Sequence, residues 1–376
     1  MPKADRLLLG RGLVLALGVI LFGGTLTGTV RDQRVIERQD LALAVGFDKG
    51  EKGTLRVIST FPQVAREAEE KEEIIAVDAL SSKDARIRLE TKSGRRVASG
   101  QIRVALFSDA LARSGLKPFI DTLYRDPDIN ARLFLAVVDG STETLLSRRY
   151  PEKERSGFYL YNLLETNMRR HTIPTGRLHH FLRAYYTFGQ DPVLPLLRPE
   201  RENVAVAGAA LFRGSRMVGR LDLEESGVLL LLKGSASGAD SSMRIRLRDK
   251  TGTLVFIFVQ NERRIRAEPS GPRLRFHISL AITAHLVEYA GQRIGSLSNP
   301  AVKRAIERAV AHRYKEKAEA VLRKLQQLGT DPIGLGTYAR AHKLWNGTEK
   351  EWYRIYRKLP ISVDVSFRIT QVGLYD

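Results

Sequence analysis

Ile102-Arg103-Val104-Ala105-Leu106-Phe107-Ser108-Asp109 and Leu133-Phe134-Leu135-Ala136-Val137-Val138-Asp139-Gly140-Ser141-Thr142 decide the fold class of this chain. Each is a short apolar run followed by capping or turn residues. The pattern predicts two buried strands, each leading into a helix. After the first strand, Ser108 or Asp109 caps a short helix through Ala112 that ends near Ser114-Gly115. Pro118 suits the first turn of a further helix to Tyr124. Arg125-Asp126-Pro127-Asp128 stops it, and the second strand leads to a helix over Thr142–Leu146. Strand, helices, strand, helix predicts a mixed sheet with helices packed on it.

Outward on the N-terminal side, strands are expected at Leu41–Gly46 and Thr54–Phe61, forming a hairpin around Asp48-Lys49-Gly50. Arg66–Glu73 is a charged run, expected as a solvated loop or exposed helix, and Ser81–Glu90 begins with good capping residues and reads as a helix. On the other side, residues 156–188 are rich in helix signals. Gln190 to Glu202 holds Pro192, Pro195 and Pro199 and reads as the domain linker.

Beyond it the texture changes to short strands: a hairpin over Val204–Phe212 and Met217–Leu221, then Met243–Leu247, Thr253–Gln260, Arg263–Glu268 and Leu274–Leu286. These predict an antiparallel meander. Asn299-Pro300 opens a long helix to Leu328, closed by Gly329 and carrying a Lys/Arg-rich outer face. Trp345, Trp352 and Tyr356 follow and are expected on a second helix; with Tyr353 they read as core or interdomain packing residues. Ile361, Val363, Val365, Phe367 and Ile369 alternate with polar residues as a half-buried strand, expected to pair in the last sheet beside the long helix.

The expected fold is α+β and multi-domain, with mixed and antiparallel sheets each flanked by helices. Residues 1–30 form an export or membrane-anchor segment. An N-terminal α+β part covers 31–190 and a C-terminal part 203–376, with three subdomains in all.

The 1–30 segment has a basic start at Lys3, Arg6 and Arg11, then no charged residue from Gly12 to Val30. That is the geometry of a signal peptide. Leu26-Thr27-Gly28-Thr29 has the outline of a lipoprotein signal, with Thr29 where an acylated cysteine belongs. No lipidation is therefore expected; the segment reads either as a cleaved signal or as a retained anchor, and Leu13–Phe22 together with partner subunits is expected to hold the chain at the membrane. The positive flank stays on the cytoplasmic side and residues after Arg31 lie outside.

The chain has 376 residues, a formal net charge of +19 and no cysteine. Absent thiols exclude disulfides, thiolate metal sites and cysteine nucleophiles. The basic balance admits nucleic acid, anionic headgroups or an acidic partner, and export argues against nucleic acid. None of His171, His179, His180, His277, His285, His312 and His342 sits in a metalloprotease motif, and adjacent His179 and His180 point apart on a helix. Gly234-Ser235-Ala236-Ser237-Gly238 places Ala236 where a nucleophile elbow needs serine. Gly329 to Gly336 lacks the lysine of a phosphate loop and reads as a helix stop followed by tight turns. No catalytic, cofactor-binding or metal-binding residue is assigned.

In order along the chain, Arg34-Val35-Ile36-Glu37, Leu41-Ala42, Gly46-Phe47-Asp48, Phe107-Ser108-Asp109-Ala110-Leu111-Ala112, Gly115-Leu116, Pro118 and Tyr124-Arg125-Asp126 resemble the Ger(x)C family of spore germination proteins. So do Gly208-Ala209-Ala210-Leu211-Phe212, Val218-Gly219-Arg220-Leu221, and Leu328-Gly329-Thr330-Asp331-Pro332-Ile333-Gly334-Leu335-Gly336, followed by Trp345, Trp352 and the terminal strand. The resemblance implies a three-domain α+β fold. It implies a non-enzymatic C subunit of a nutrient germinant receptor. That subunit would act in germination on the outer face of the inner spore membrane, beside integral-membrane A and B subunits. The resemblance names no germinant and leaves open whether this chain touches it. The alternative is an exported cell-wall hydrolase or envelope binding protein, with Asp121 and Asp126 as a candidate carboxylate pair.

Overall fold

In the computed structural model the two apolar runs become neighbouring parallel strands at the centre of an eight-stranded sheet. The structure describes residues 39–63, 72–94, 96–148, 150, 155–247, 250–270, 273–291 and 299–372. The expected export segment, Thr29 and most of the charged run at 66–73 lie outside the described residues.

The sheet comprises β1 (Ala44–Lys49), β2 (Leu55–Pro62), β3 (Glu72–Ala79), β4 (Val104–Ser108), β5 (Phe134–Val138), β6 (Val193–Pro199), β7 (Val204–Arg213) and β8 (Arg216–Leu221). Their spatial order is β8-β7-β6-β5-β4-β1-β2-β3. Strands β1, β4, β5 and β6 run parallel, flanked by antiparallel pairs on both sides. Every residue of β4 and β5 is buried, as expected of parallel strands covered on both faces.

Period-two alternation divides their side chains between two cores. Ala105, Phe107, Leu135 and Val137 face helices α1 (Ser82–Ser93), α2 (Asp109–Ser114), α3 (Lys117–Arg125) and α6 (Leu178–Tyr186). Val104, Leu106, Phe134 and Ala136 face α4 (Thr142–Leu146) and α5 (Ser156–Arg169).

The helix starts follow capping chemistry. Ser81, Ser108 and Ser141 hydroxyls accept the backbone N–H of Asp84, Leu111 and Thr144. The Gly46-Phe47-Asp48 stretch has a physical reading. The Asp48 carboxylate accepts the N–H groups of Thr142 (2.8 Å) and Glu143 (3.1 Å) at the start of α4. A Cβ on Gly46 would stand 2.4 Å from Thr142 Oγ1, so glycine lets α4 approach the strand.

The second sheet contains β9 (Asp240–Leu247), β10 (Lys250–Ser270), β11 (Arg273–Gly291) and β12 (Ile361–Val372), in that order. It packs with α7 (Leu223–Lys233), α8 (Pro300–Leu328), α9 (Leu335–Ala341) and α10 (Glu349–Tyr356) around one core. Asn299 caps α8, and Gly329 ends it with a φ of 69°. The terminal strand alternates as expected, with Val363, Phe367 and Ile369 buried, and it pairs within this sheet.

Three expectations are corrected. The proline-rich stretch read as a linker contains β6, which bonds to β5 on one side and β7 on the other. Its prolines obscured a strand whose first five residues are buried, and β7 and β8 continue the same sheet. The last sheet is mixed, because β12 joins β11 in parallel. A parallel neighbour requires a crossover, and the helices α8 to α10 supply it. The strands expected at Thr253–Gln260 and Arg263–Glu268 are one 21-residue strand with irregular pairing near Val255 and Phe258. The intervening Asn261 is buried, its side chain donating to the Leu231 carbonyl at 3.1 Å.

Candidate functional site

The Gly329–Gly336 turns wrap a fully buried carboxylate. Asp331 Oδ1 accepts the N–H groups of Gly334 (2.9 Å) and Leu335 (3.1 Å), and Oδ2 accepts that of Gly336 (2.9 Å). Burial pushes its pKa up to about 7, against these three donors. The Asp331 N–H donates to Asp191 Oδ2 at 2.8 Å, and the Asp191 N–H donates to the Asp331 carbonyl at 3.0 Å. Asp191 Oδ1 accepts the Gly214 N–H at 2.9 Å, and the Tyr353 phenol also bonds to this carboxyl. Burial raises Asp191 above the ordinary carboxylate range, while its N–H donors act in the opposite direction.

Close packing surrounds this node. A Cβ on Gly336 would fall 2.6 Å from Trp352 Nε1 and 2.7 Å from the Gly189 Cα. Thr330 Oγ1 donates to the Phe212 carbonyl and Thr337 Oγ1 to the Phe188 carbonyl. The node thus ties the segment after α8 to the strands β6 and β7 of the large sheet.

Beside it is a cavity of about 340 Å³ whose lining includes Asp191, His180, Arg183, Lys233 and Arg263. His180 and Arg183 stand three apart on α6 and so share a face. Lys233 is the last residue of α7, and Arg263 lies on β10. Lys233 Nζ donates to the Pro332 carbonyl at 2.6 Å. Arg263 Nη1 bonds to the carbonyls of Leu232 (3.2 Å) and Ile333 (3.4 Å). Burial lowers Lys233 to about 8, with Arg263 adding repulsion, and lowers His180 to about 4, with His179 and Arg183 adding to it. His180 Nδ1 is buried with no hydrogen-bond partner among the described residues.

Other sequence candidates are structural or dispersed. Asp126 accepts from the Ser99 hydroxyl (3.2 Å) and the Asp128 N–H (3.0 Å). Asp121 is half-buried on α3. His277 lies 3.3 Å from Asp364, and His312 lies 3.4 Å from Glu316. Among the described residues no cluster of three or more His, Asp or Glu side chains could hold a metal ion. The Lys/Arg face of α8 is substantially ion-paired: Lys315 to Asp364, Lys317 to Glu224, Lys324 to Glu225 and Arg313 to Glu316. Trp352 and Tyr356 are core residues. The cationic cavity was not visible in the sequence, because its members come from separate elements and each looks like an ordinary surface charge.

Two mixed sheets, with helices on each and a buried carboxylate node, define an α+β protein. The spore germination protein N-terminal domain matches residues 32–199, and the spore germination B3/GerAC-like C-terminal region matches residues 207–373. The chain belongs to the Ger(x)C family of spore germination proteins. It is similar to the spore germination protein GerQC of Bacillus cereus, 24% identical over 364 residues, covering 96% of this chain and 98% of that protein. It is also similar to the putative spore germination protein YfkR of Bacillus subtilis (strain 168), 20% identical over 305 residues, covering 78% of this chain and 77% of that protein. The crystal structure of the GerBC protein shares the fold, with a TM-score of 0.59 at 16% identity, covering 87% of this chain and 96% of that one. The cavity draws His180, Arg183 and Asp191 from the first matched region and Lys233 and Arg263 from the second.

Proposed function

We propose that this chain is the non-enzymatic C subunit of a spore nutrient germinant receptor, working with integral-membrane A and B subunits on the outer face of the inner spore membrane. The observation that carries this reading is the likeness to GerQC along nearly the full length of both chains. The export-type N-terminus is consistent with it. Among the described residues, no helix is long and apolar enough to cross a membrane. Attachment is therefore assigned to Leu13–Phe22 and to partner subunits, since Thr29 offers no thiol for a lipid.

Affinity capture of the native chain from solubilised spore membranes, with mass spectrometry of what accompanies it, tests the assembly. Two multi-span partners are expected; recovery of this chain alone from intact membranes would overturn the reading. Replacing Leu15, Leu17, Val19 and Leu21 with polar residues should move the chain out of the membrane fraction or block its export, as fractionation and immunoblotting would show.

A further inference from the structure

We propose that the cavity among α6, α7, β10 and the Asp191–Asp331 node binds a small organic anion through its carboxylate or phosphate oxygens. Four basic side chains converge there from three elements: His180 and Arg183, Lys233, and Arg263. Their donors are not used up by the protein. Arg183 has no ion pair or hydrogen bond from its guanidinium among the described residues, and Arg263 bonds only through Nη1. Lys233 commits one N–H, to Pro332. His180 Nδ1, buried at the cavity, has no hydrogen-bond partner among the described residues.

Asp191 is the carboxylate in the lining, and its oxygens already accept from Gly214, Asp331 and Tyr353. Among the described residues none of the three cations forms a direct ion pair, and the buried Asp331 acts on Lys233 and Arg263 only at longer range. Lys233 and Arg263 are partly desolvated, and such cations are costly without a partner; guanidinium groups match the geometry of carboxylate and phosphate.

The rest of the lining fixes the ligand class. Val193, Leu230 and Ile333 give an apolar wall, which suits a short carbon body more than a bare inorganic ion. A volume of about 340 Å³ lies at the lower end of small-molecule pockets, and fits a metabolite of a few carbons. The inference does not depend on the receptor reading.

Titration calorimetry on the purified full-length chain tests it, using citrate and glycerol 3-phosphate as probes at constant ionic strength and glycerol as the neutral control. Saturable one-to-one binding of either anion, with no heat from glycerol, is expected, and the anion that binds identifies the head group. Arg183→Gln changes an exposed, unpaired side chain and should leave the melting temperature unaltered. It should weaken binding about tenfold, or about 1.4 kcal/mol. Lys233→Gln should weaken it at least as much. Arg304→Gln, an exposed charge on α8 away from the cavity lining, should not change affinity. Failure of both anions to saturate overturns the proposal. So does an equal loss in Arg304→Gln and Arg183→Gln, since that would show only a general response to positive charge.

Discussion

Asp331 sets the largest demand at the level of single residues, because its side chain is buried and serves three backbone N–H groups. Asp331→Ala would strand those donors, each costing about 1–3 kcal/mol when buried and unpaired. We expect a loss of about 3 kcal/mol or more in urea unfolding. Asp331→Asn keeps one acceptor oxygen and should cost about 1–2 kcal/mol. The pH dependence has a definite sign. Burial raises the folded carboxyl to about 7 from an ordinary value of 3.8. Between those values the folded chain holds a proton that the unfolded chain has released. The contribution to stability is therefore greatest at low pH, is lost as pH rises through about 7, and is flat above it. Unfolding of Asp331→Asn should lack this slope, so the gap between wild type and variant should be larger at pH 5 than at pH 8. Gly336→Ala acts nearby, placing a methyl against Trp352 and the Gly189 backbone. Overpacking of this kind costs about 1–3 kcal/mol, measurable by thermal denaturation.

Elements differ in how much of their role is written locally. The α8 boundaries were legible because Asn299, Pro300 and Gly329 carry the capping chemistry within a few residues. The β12 strand was legible because one face is buried and the other is not. Strand β6 was not, since Pro192, Pro195 and Pro199 are turn signals whose cost is offset by pairing to distant strands. The orientation of β12 was also hidden, because alternation fixes which face is buried and says nothing of strand direction. For the site, Asp331 stood within a recognisable glycine-rich turn, yet its partner Asp191 lies 140 residues away. On α8 the buried stripe includes Val310, Tyr314, Ala318, Val321 and Leu325. Leu325→Ala should cost about 2–5 kcal/mol as a core truncation. Lys315→Ala breaks only an exposed pair with Asp364 and should leave the unfolding midpoint close to that of the wild type. Chemical denaturation of both variants checks the contrast: comparable losses would mean that α8 is held by its charges and not by its apolar stripe.

At the scale of the whole molecule, residues Leu41–Asp376 form one unit, and the physical reason is shared strands and shared core. Val193, Ala209, Leu211 and Leu221 belong to the large sheet, yet they pack in the core of the second sheet. The Asp191–Asp331 exchange and the Thr330–Phe212 bond cross the same seam. Neither sheet can unfold without exposing part of the other's core, so a cooperative transition is expected. The two tryptophans, Trp345 and Trp352, both pack with the second sheet, which makes their fluorescence a local probe. Far-UV circular dichroism reports helices on both sheets. The two thermal curves of the wild-type chain should therefore superimpose. A fluorescence midpoint more than about 5 °C from the dichroism midpoint would show that the sheets unfold separately. Asp191→Ala removes the carboxylate that accepts the Asp331 N–H across the seam while leaving Val193, Ala209, Leu211 and Leu221 packed in the second core. Its curves should shift together to lower temperature if the shared apolar core dominates the coupling. They should separate, with fluorescence changing first, if the carboxylate node is what joins the two sheets. We expect the joint shift, because four buried apolar side chains contribute more across the seam than the hydrogen bonds of the node.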